Sequence, residues 1–120
     1  MKESLLFSKS MTFAVRCMKF YKYLTDEKKE YVLSKQMLRS GTSIGANIRE
    51  SRFAQSEADF VSKLSIALKE AEETQYWIEL LFNSDIISES EFNSMNSDSG
   101  EIIALLLSSL KTYKNNIINN

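Results

Sequence analysis

Apolar residues recur every three or four positions along most of the chain, a spacing that places them on one face of an α-helix. Four segments show this period, at about residues 4–24, 28–54, 56–82 and 88–117, and short polar stretches separate them. Short connections favour antiparallel neighbours. The pattern therefore predicts an all-α protein, an antiparallel up-down-up-down four-helix bundle that forms one domain over residues 1–120.

Each segment has its own candidate core stripe. The first helix has Leu6, Phe13, Cys17, Phe20 and Leu24. The second has Val32, Met37, Ile44 and Ile48, with Gly41 and Gly45 on the same side. The third has Phe60, Leu64, Ala67, Ala71, Ile78 and Leu81. The fourth has Phe92, Met95, Ile102, Leu106, Leu110, Tyr113 and Ile117, so it is predicted to continue through the polar stretch at 94–100.

Helix starts are indicated by side chains that can accept from free backbone N–H groups. Ser88 and Glu91 match a capping box, and Ser56 with Asp59 resembles one with a shorter acid. Thr25 and Asp26 lie between the first two segments, where they are predicted to end or interrupt the first helix and to offer a capping residue for the second.

Two of the three glycines lie four apart in the segment LRSGTSIGANIRES, residues 38–51. A phosphate-binding loop is not indicated, because the GxxxxGK[ST] spacing and its lysine are missing and no apolar strand precedes the segment. A glycine inside a helix costs about 1 kcal/mol relative to alanine. Gly41 and Gly45 are therefore predicted to allow close approach of a neighbouring helix.

The composition excludes several classes of function. There is no histidine, which removes the commonest general base and metal ligand. The single cysteine, Cys17, cannot form an internal disulfide, as is usual in a reducing cytoplasm. No apolar run reaches the roughly 18 residues of a membrane span, and no signal peptide is recognised. We expect a cytoplasmic protein without membrane, cofactor, metal or small-molecule substrate.

Candidate catalytic groups are weak. Glu70 and Glu73 are three apart, but di-iron bundles add histidines to such glutamates, so a solvated or interface acid pair is favoured. Cys17 lies on a core stripe and has no histidine to activate it, so a packed thiol is favoured. The prediction is a protein that is not an enzyme.

Charge is divided unevenly between the two halves of the chain. Residues 1–52 contain 11 Lys and Arg against 5 Asp and Glu, whereas residues 53–120 contain 4 against 11. Clustered cations bind phosphates, so RNA or DNA binding is predicted for one basic set: Lys9, Arg16, Lys19, Arg39, Arg49 and Arg52.

Two interpretations of this basic set remain open. If its side chains converge on one face, nucleic-acid binding is favoured; if acidic residues pair with them, a protein scaffold or adaptor without nucleic acid is favoured. The net charge of −1 argues against a strong nucleic-acid binder taken as a monomer.

The blocks LSKQMLRSGTSIGANIRES (33–51) and FVSKLSIALKEAEETQYWIELL (60–81) resemble the four-helix-bundle family encoded in intervening sequences of bacterial large-subunit ribosomal RNA genes. The matching residues are Arg39, Ser43, Ile44, Asn47, Ile48, Glu50, Lys63, Leu64, Ala67, Glu70, Ala71, Glu73 and Trp77. The chain also resembles the accessory proteins of diversity-generating retroelements, which share this family's fold and are taken to bind nucleic acid and a reverse transcriptase through basic surfaces. The resemblance implies a cytoplasmic homo-oligomer, a ring-shaped pentamer, with no enzymatic residues to carry over.

A polar stripe on the second helix has two interpretations. Small and polar residues at regular spacing suit a contact between subunits, and on this basis Ser43, Asn47 and Glu50, next to Ser40, are predicted to lie at a subunit interface. An exposed polar face is the alternative.

Overall fold

The computed structural model describes the backbone of residues 2–119 and the side chains of residues 4–113. Four helices follow one another: α1 (Lys2–Asp26), α2 (Leu33–Ser51), α3 (Glu57–Asn83) and α4 (Glu89–Asn119). The described residues contain no strand. The all-α prediction is confirmed, and so is the continuity of the last helix through residues 94–100.

The helices pack as a square. Within the described part of the chain, each helix packs on its two neighbours in cyclic order, and no Cα atoms of the diagonal pairs come within 8 Å of each other. The bundle measures 52 × 22 × 22 Å. Across the α2–α3 seam Arg39 pairs with Glu73, and Glu50 pairs with Lys63. Residue numbers rise on one helix as they fall on the other, so the antiparallel prediction is confirmed.

The start of α2 differs from the prediction of Lys28. α1 ends at Asp26, which confirms the end of the first helix predicted at Thr25 and Asp26. The Thr25 hydroxyl donates to the Lys22 carbonyl oxygen inside α1, so it does not cap the next helix. Lys29 then takes a positive φ of 54°, which interrupts helical geometry. The Glu30 carboxylate accepts from the N–H groups of residues 32, 33 and 34, so α2 begins at Leu33.

The other helix ends lie near the predicted positions. Both predicted caps are present: Asp59 N–H donates to the Ser56 hydroxyl at 3.1 Å, and Ser88 and Glu91 bond each other reciprocally. The chain leaves α2 after Ser51 rather than at residue 54, because the next three N–H groups bond carbonyls three residues back, the pattern of a tighter turn.

The core follows most of each predicted stripe. Val32 is 72% exposed because it precedes α2 instead of lying inside it. Four predicted aromatic positions are only partly buried: Phe20, Phe60, Phe92 and Tyr113. The predicted core position Ile117 lies outside the described side chains. The fully buried large side chains include Phe13, Leu24, Met37, Ile44, Leu64, Ile78, Leu81, Met95, Ile102 and Leu106.

α1 approaches α2 closely at Gly41, against the Cys17 side chain. A Cβ atom on Gly41 would lie 2.5 Å from the Cys17 Sγ and 3.3 Å from its Cβ, whereas one on Gly45 would lie 3.5 Å from Ser10. Only the first distance is an overlap. The predicted close approach is therefore confirmed at Gly41, and Gly45 could accept a methyl group at ordinary contact distance.

These distances predict different outcomes for two alanine substitutions. We expect Gly41→Ala to lower the unfolding free energy by about 1–3 kcal/mol, because overpacking outweighs the gain in helix propensity. Gly45→Ala, the matched control, should be neutral or stabilising by up to about 1 kcal/mol. Chemical denaturation measures both, and Cys17→Ala combined with Gly41→Ala should recover part of the loss. Equal effects at both glycines would contradict this assignment.

Candidate interaction surfaces

Two of the predicted basic residues lie in the seam between α1 and α4. Lys9 Nζ contacts Glu101 Oε2 at 2.7 Å. Arg16 donates to the Asp98 carboxylate, the Ser94 hydroxyl and the Ser94 carbonyl oxygen. Both cations are therefore neutralised by acids of the neighbouring helix α4, and these pairs join α1 to α4.

A third predicted residue, Arg39, lies in the seam between α2 and α3. Its Nη2 donates to both carboxylate oxygens of Glu73, at 3.1 and 3.3 Å. In the same seam Lys63 Nζ contacts Glu50 at 3.2 Å. These side chains are partly exposed, so each pair contributes about 0–1 kcal/mol and mainly aligns the helices.

The remaining three predicted residues have no ion pair within the described part of the chain. The guanidinium carbons of Arg49 and Arg52 lie 5.3 and 3.6 Å from the centroid of the Phe7 ring, so both cations sit on one aromatic side chain of α1. Lys19 is exposed and borders a surface cavity of about 460 Å³ between α1 and α4. The six residues therefore do not form one cluster. Three of them, Lys9, Arg16 and Arg39, are paired with acids.

The predicted interface residues on α2 have partners inside the same protomer. The Ser43 hydroxyl donates to the Arg39 carbonyl oxygen at 2.7 Å, and the Asn47 amide donates to the Ser43 carbonyl oxygen at 2.8 Å. Glu50 pairs with Lys63 across the seam. All three side chains remain at least partly exposed, at the edge of the α2–α3 seam.

Two polar atoms of α3, both facing this seam, are closed off from solvent without a hydrogen-bond partner: Glu70 Oε2 and Trp77 Nε1. Burial, and then the neighbouring Glu73 carboxylate, raises the pKa of Glu70 above its ordinary value. The sequence spacing identified the Glu70 and Glu73 pair but could not show which oxygen is enclosed.

The outer side of α1 exposes an apolar strip that lies outside the core of the bundle. Met11, Val15 and Met18 are 48%, 48% and 46% exposed. Their spacing of four and three was a detectable signal, because it places them on one line of the helix. Beside the strip a hollow of about 230 Å³ opens between α1 and α2. Its lining residues are Phe7, Ser10, Met11, Ala14, Thr42, Gly45, Ala46 and Arg49.

Chemical groups for catalysis are scarce among the described residues. No group of three or more His, Cys, Asp or Glu there could hold a metal ion. Burial raises the pKa of the Cys17 thiol to about 12, so the thiol stays protonated at neutral pH. None of the described helices has the length and apolar character needed to cross a membrane.

These features define an all-α bundle protein whose described surface offers sites for contact with other molecules. A family model described as 23S rRNA-intervening sequence protein matches residues 2–108, and the chain belongs to that family. The family resemblance is thereby confirmed, and the family carries no indication of an enzymatic activity.

One solved structure is closely similar over nearly the whole chain. It is a Bacteroides thetaiotaomicron protein with unknown function from the S23 ribosomal protein family, with 57% sequence identity and a TM-score of 0.91. The match covers 92% of this chain and 99% of that chain. No curated protein matches the sequence.

The raised pKa of Glu70 predicts a pH-dependent effect of Glu70→Gln. A carboxyl whose pKa is higher in the folded than in the unfolded chain favours folding at low pH, and this contribution is lost as pH rises through the raised pKa. At pH 7 we expect Glu70→Gln to raise the unfolding free energy by less than about 1 kcal/mol, because the site is partly exposed. The gain should shrink as pH falls toward the ordinary pKa of 4.5.

Urea denaturation at pH 7 and near pH 4 measures this effect. Glu27→Gln is the matched control, since Glu27 is exposed and has no ion pair among the described residues. It should give the same stability as the wild type at both pH values. A loss of stability for Glu70→Gln at pH 7 would show that the ionised carboxylate contributes favourably.

Proposed function

We propose that this protein is a non-enzymatic, self-associating scaffold that acts as a homo-oligomer. The observation that supports it is the apolar strip of Met11, Val15 and Met18 on the outer side of α1. Burying a whole side chain of this kind contributes about 1.5–3 kcal/mol. Since about half of each one is already covered, a subunit contact would gain about 1 kcal/mol from each.

The distribution of charge supports a scaffold over a strong nucleic-acid binder. Lys9, Arg16 and Arg39 are each paired with an acid of another helix. A phosphate group would have to displace these carboxylates, which reduces the gain from each contact. In the proposed role the protein works in the cytoplasm without a metal, cofactor or small-molecule substrate. Its partners are copies of itself and further proteins.

We propose a pentamer, the assembly that the family resemblance implies. Ser43, Asn47 and Glu50 are proposed to lie at the edge of a subunit contact, next to the enclosed Glu70 Oε2 and Trp77 Nε1. A buried polar atom without a partner costs about 1–3 kcal/mol. A small shift of the seam on assembly would let a second copy supply these missing hydrogen bonds.

The assembled mass tests the proposed homo-oligomer. Light scattering coupled to gel filtration should give a mass near five times the 13.8 kDa of one chain. Val15→Glu should dissociate the assembly, because it places a charge in the apolar strip. Val32→Glu is the control, as Val32 is exposed but precedes α2. A monomeric wild-type protein at micromolar concentration would overturn the proposal.

Nucleic-acid binding is a second candidate function, and the arginine pair on Phe7 favours it. Arg49 and Arg52 are exposed cations without acidic partners among the described residues, and an oligomer would repeat them in every subunit. Lys19 is a further cation with no ion pair in the described part of the chain. Repetition in a ring could build a basic surface that one chain lacks.

Binding of labelled structured RNA and duplex DNA across a salt series tests this candidate. Each phosphate contact contributes roughly 0.9 to the slope of log affinity against log salt on duplex DNA. Arg49→Glu with Arg52→Glu should weaken binding by at least about 10-fold, whereas Lys9→Gln, at an already paired cation, should have little effect. No binding by the intact oligomer at low salt would exclude this function.

A further inference from the structure

The outer sides of α1 and α2 form a surface that is apolar and cationic, here called the α1–α2 face. It consists of Met11, Val15, Met18, the adjoining hollow and the cations around them. Residues 4–25 and 31–49 contain no Asp or Glu. Four cations of this face have no ion pair within the described residues: Lys22, Lys35, Arg49 and Arg52.

The hollow in this face has the size of a side-chain socket. Sites for small molecules occupy roughly 300–1,000 Å³, and the hollow between α1 and α2 has about 230 Å³. Its walls are mainly apolar, with Phe7, Met11 and Ala14 from α1, and Arg49 lies at the border. A single aromatic side chain flanked by acidic residues would match both the shape and the charge.

The same chain has such an aromatic residue on the outer side of α3. Tyr76 is 57% exposed. Glu72 and Glu79 lie four residues before and three after it, so they flank it on one side of the helix. Both glutamates are exposed and have no ion pair in the described part of the chain. These three residues define the α3 face.

Charge distinguishes Tyr76 from Phe53, another exposed aromatic residue. Phe53 is more exposed, at 79%, but it follows Arg52 directly and lies one turn after Arg49. Docking Phe53 on the α1–α2 face would bring cations against cations. Tyr76 brings carboxylates instead, and opposite charges across an interface determine which surfaces pair.

We infer that the α3 face of one copy docks on the α1–α2 face of the next, with Tyr76 in the hollow and Glu72 and Glu79 against its cations. The inference rests on the proposed homo-oligomer and specifies how the subunits join. Two different surfaces meet, so the contact is head-to-tail, and repetition yields a closed ring if the rotation between copies closes.

The positions of the two faces along the helix axis determine the angle between each bundle and the ring axis. Arg39 lies opposite Glu73 and Ser40 opposite Thr74, so Tyr76 is level with about Met37 on α2. The hollow is centred near Gly45. The difference of eight residues corresponds to roughly 12 Å along the helix axis. Bundles in a closed ring must therefore be inclined to the ring axis.

Two complementary variants test the head-to-tail contact. Met11→Glu spoils the α1–α2 face and leaves the α3 face intact, and Tyr76→Glu does the reverse. Both positions are about half exposed, so the fold should persist, which circular dichroism checks. Each variant alone should be monomeric, with subunit affinity reduced at least about 30-fold, as for an interface hot spot. Phe53→Glu is the control and should assemble like the wild type.

Mixing the two variants gives the decisive result. The intact α3 face of Met11→Glu can bind the intact α1–α2 face of Tyr76→Glu, and the two spoiled faces repel each other. A head-to-tail contact therefore predicts a one-to-one dimer of twice 13.8 kDa that grows no further.

Other outcomes separate this inference from the proposed function. A mixture that stays monomeric would overturn it, because the intact α3 face of one variant would then not bind the intact α1–α2 face of the other. If either variant keeps the wild-type assembly, the inference also fails while the homo-oligomer stands. If the wild-type protein is a monomer, the proposed function itself fails.

Discussion

The close approach of α1 and α2 at Gly41 is the contact on which the rest of the structure depends. The absence of a side chain there lets the Cys17 sulfur fill the space at the centre of the bundle. One turn further on, Gly45 and Ala46 leave room on the outer side, and the hollow between α1 and α2 opens there. The same run of small residues thus brings two helices together inside and leaves a concave surface outside.

The uneven charge of the two halves is partly used within each protomer. Acids of α4 neutralise Lys9 and Arg16, and an acid of α3 neutralises Arg39. These half-exposed pairs contribute little energy, but they help determine which helix lies beside which. Four cations without an ion pair in the described part of the chain, Lys22, Lys35, Arg49 and Arg52, border an apolar strip. Such a surface suits a protein contact better than a phosphate backbone, which offers no apolar groups to cover Met11 and Met18.

The sequence was sufficient for the fold because helical periodicity reports burial directly. Ile44 and Ile48 lie where the period places them, and Ser88 with Glu91 forms the expected cap. The start of α2 could not be predicted in this way. It depends on one carboxylate, Glu30, that gathers several backbone N–H groups after a residue with positive φ, and no simple spacing rule encodes that arrangement.

The candidate surfaces were less predictable because they depend on which helices become neighbours. Sequence spacing predicted that Arg16 lies on the first helix and Arg49 on the second. It could not show that Arg16 pairs with Asp98 on α4 or that Arg49 lies over the Phe7 ring. Partners that are distant in sequence decide whether a charge is available. The enclosed Cys17 thiol has a further consequence. Thiol reagents need the thiolate, and burial holds the pKa of this group at about 12, so alkylating agents and oxidants can label only molecules in which α1 has lifted away from α2. The rate at which a thiol reagent modifies Cys17 therefore reports how often the bundle opens.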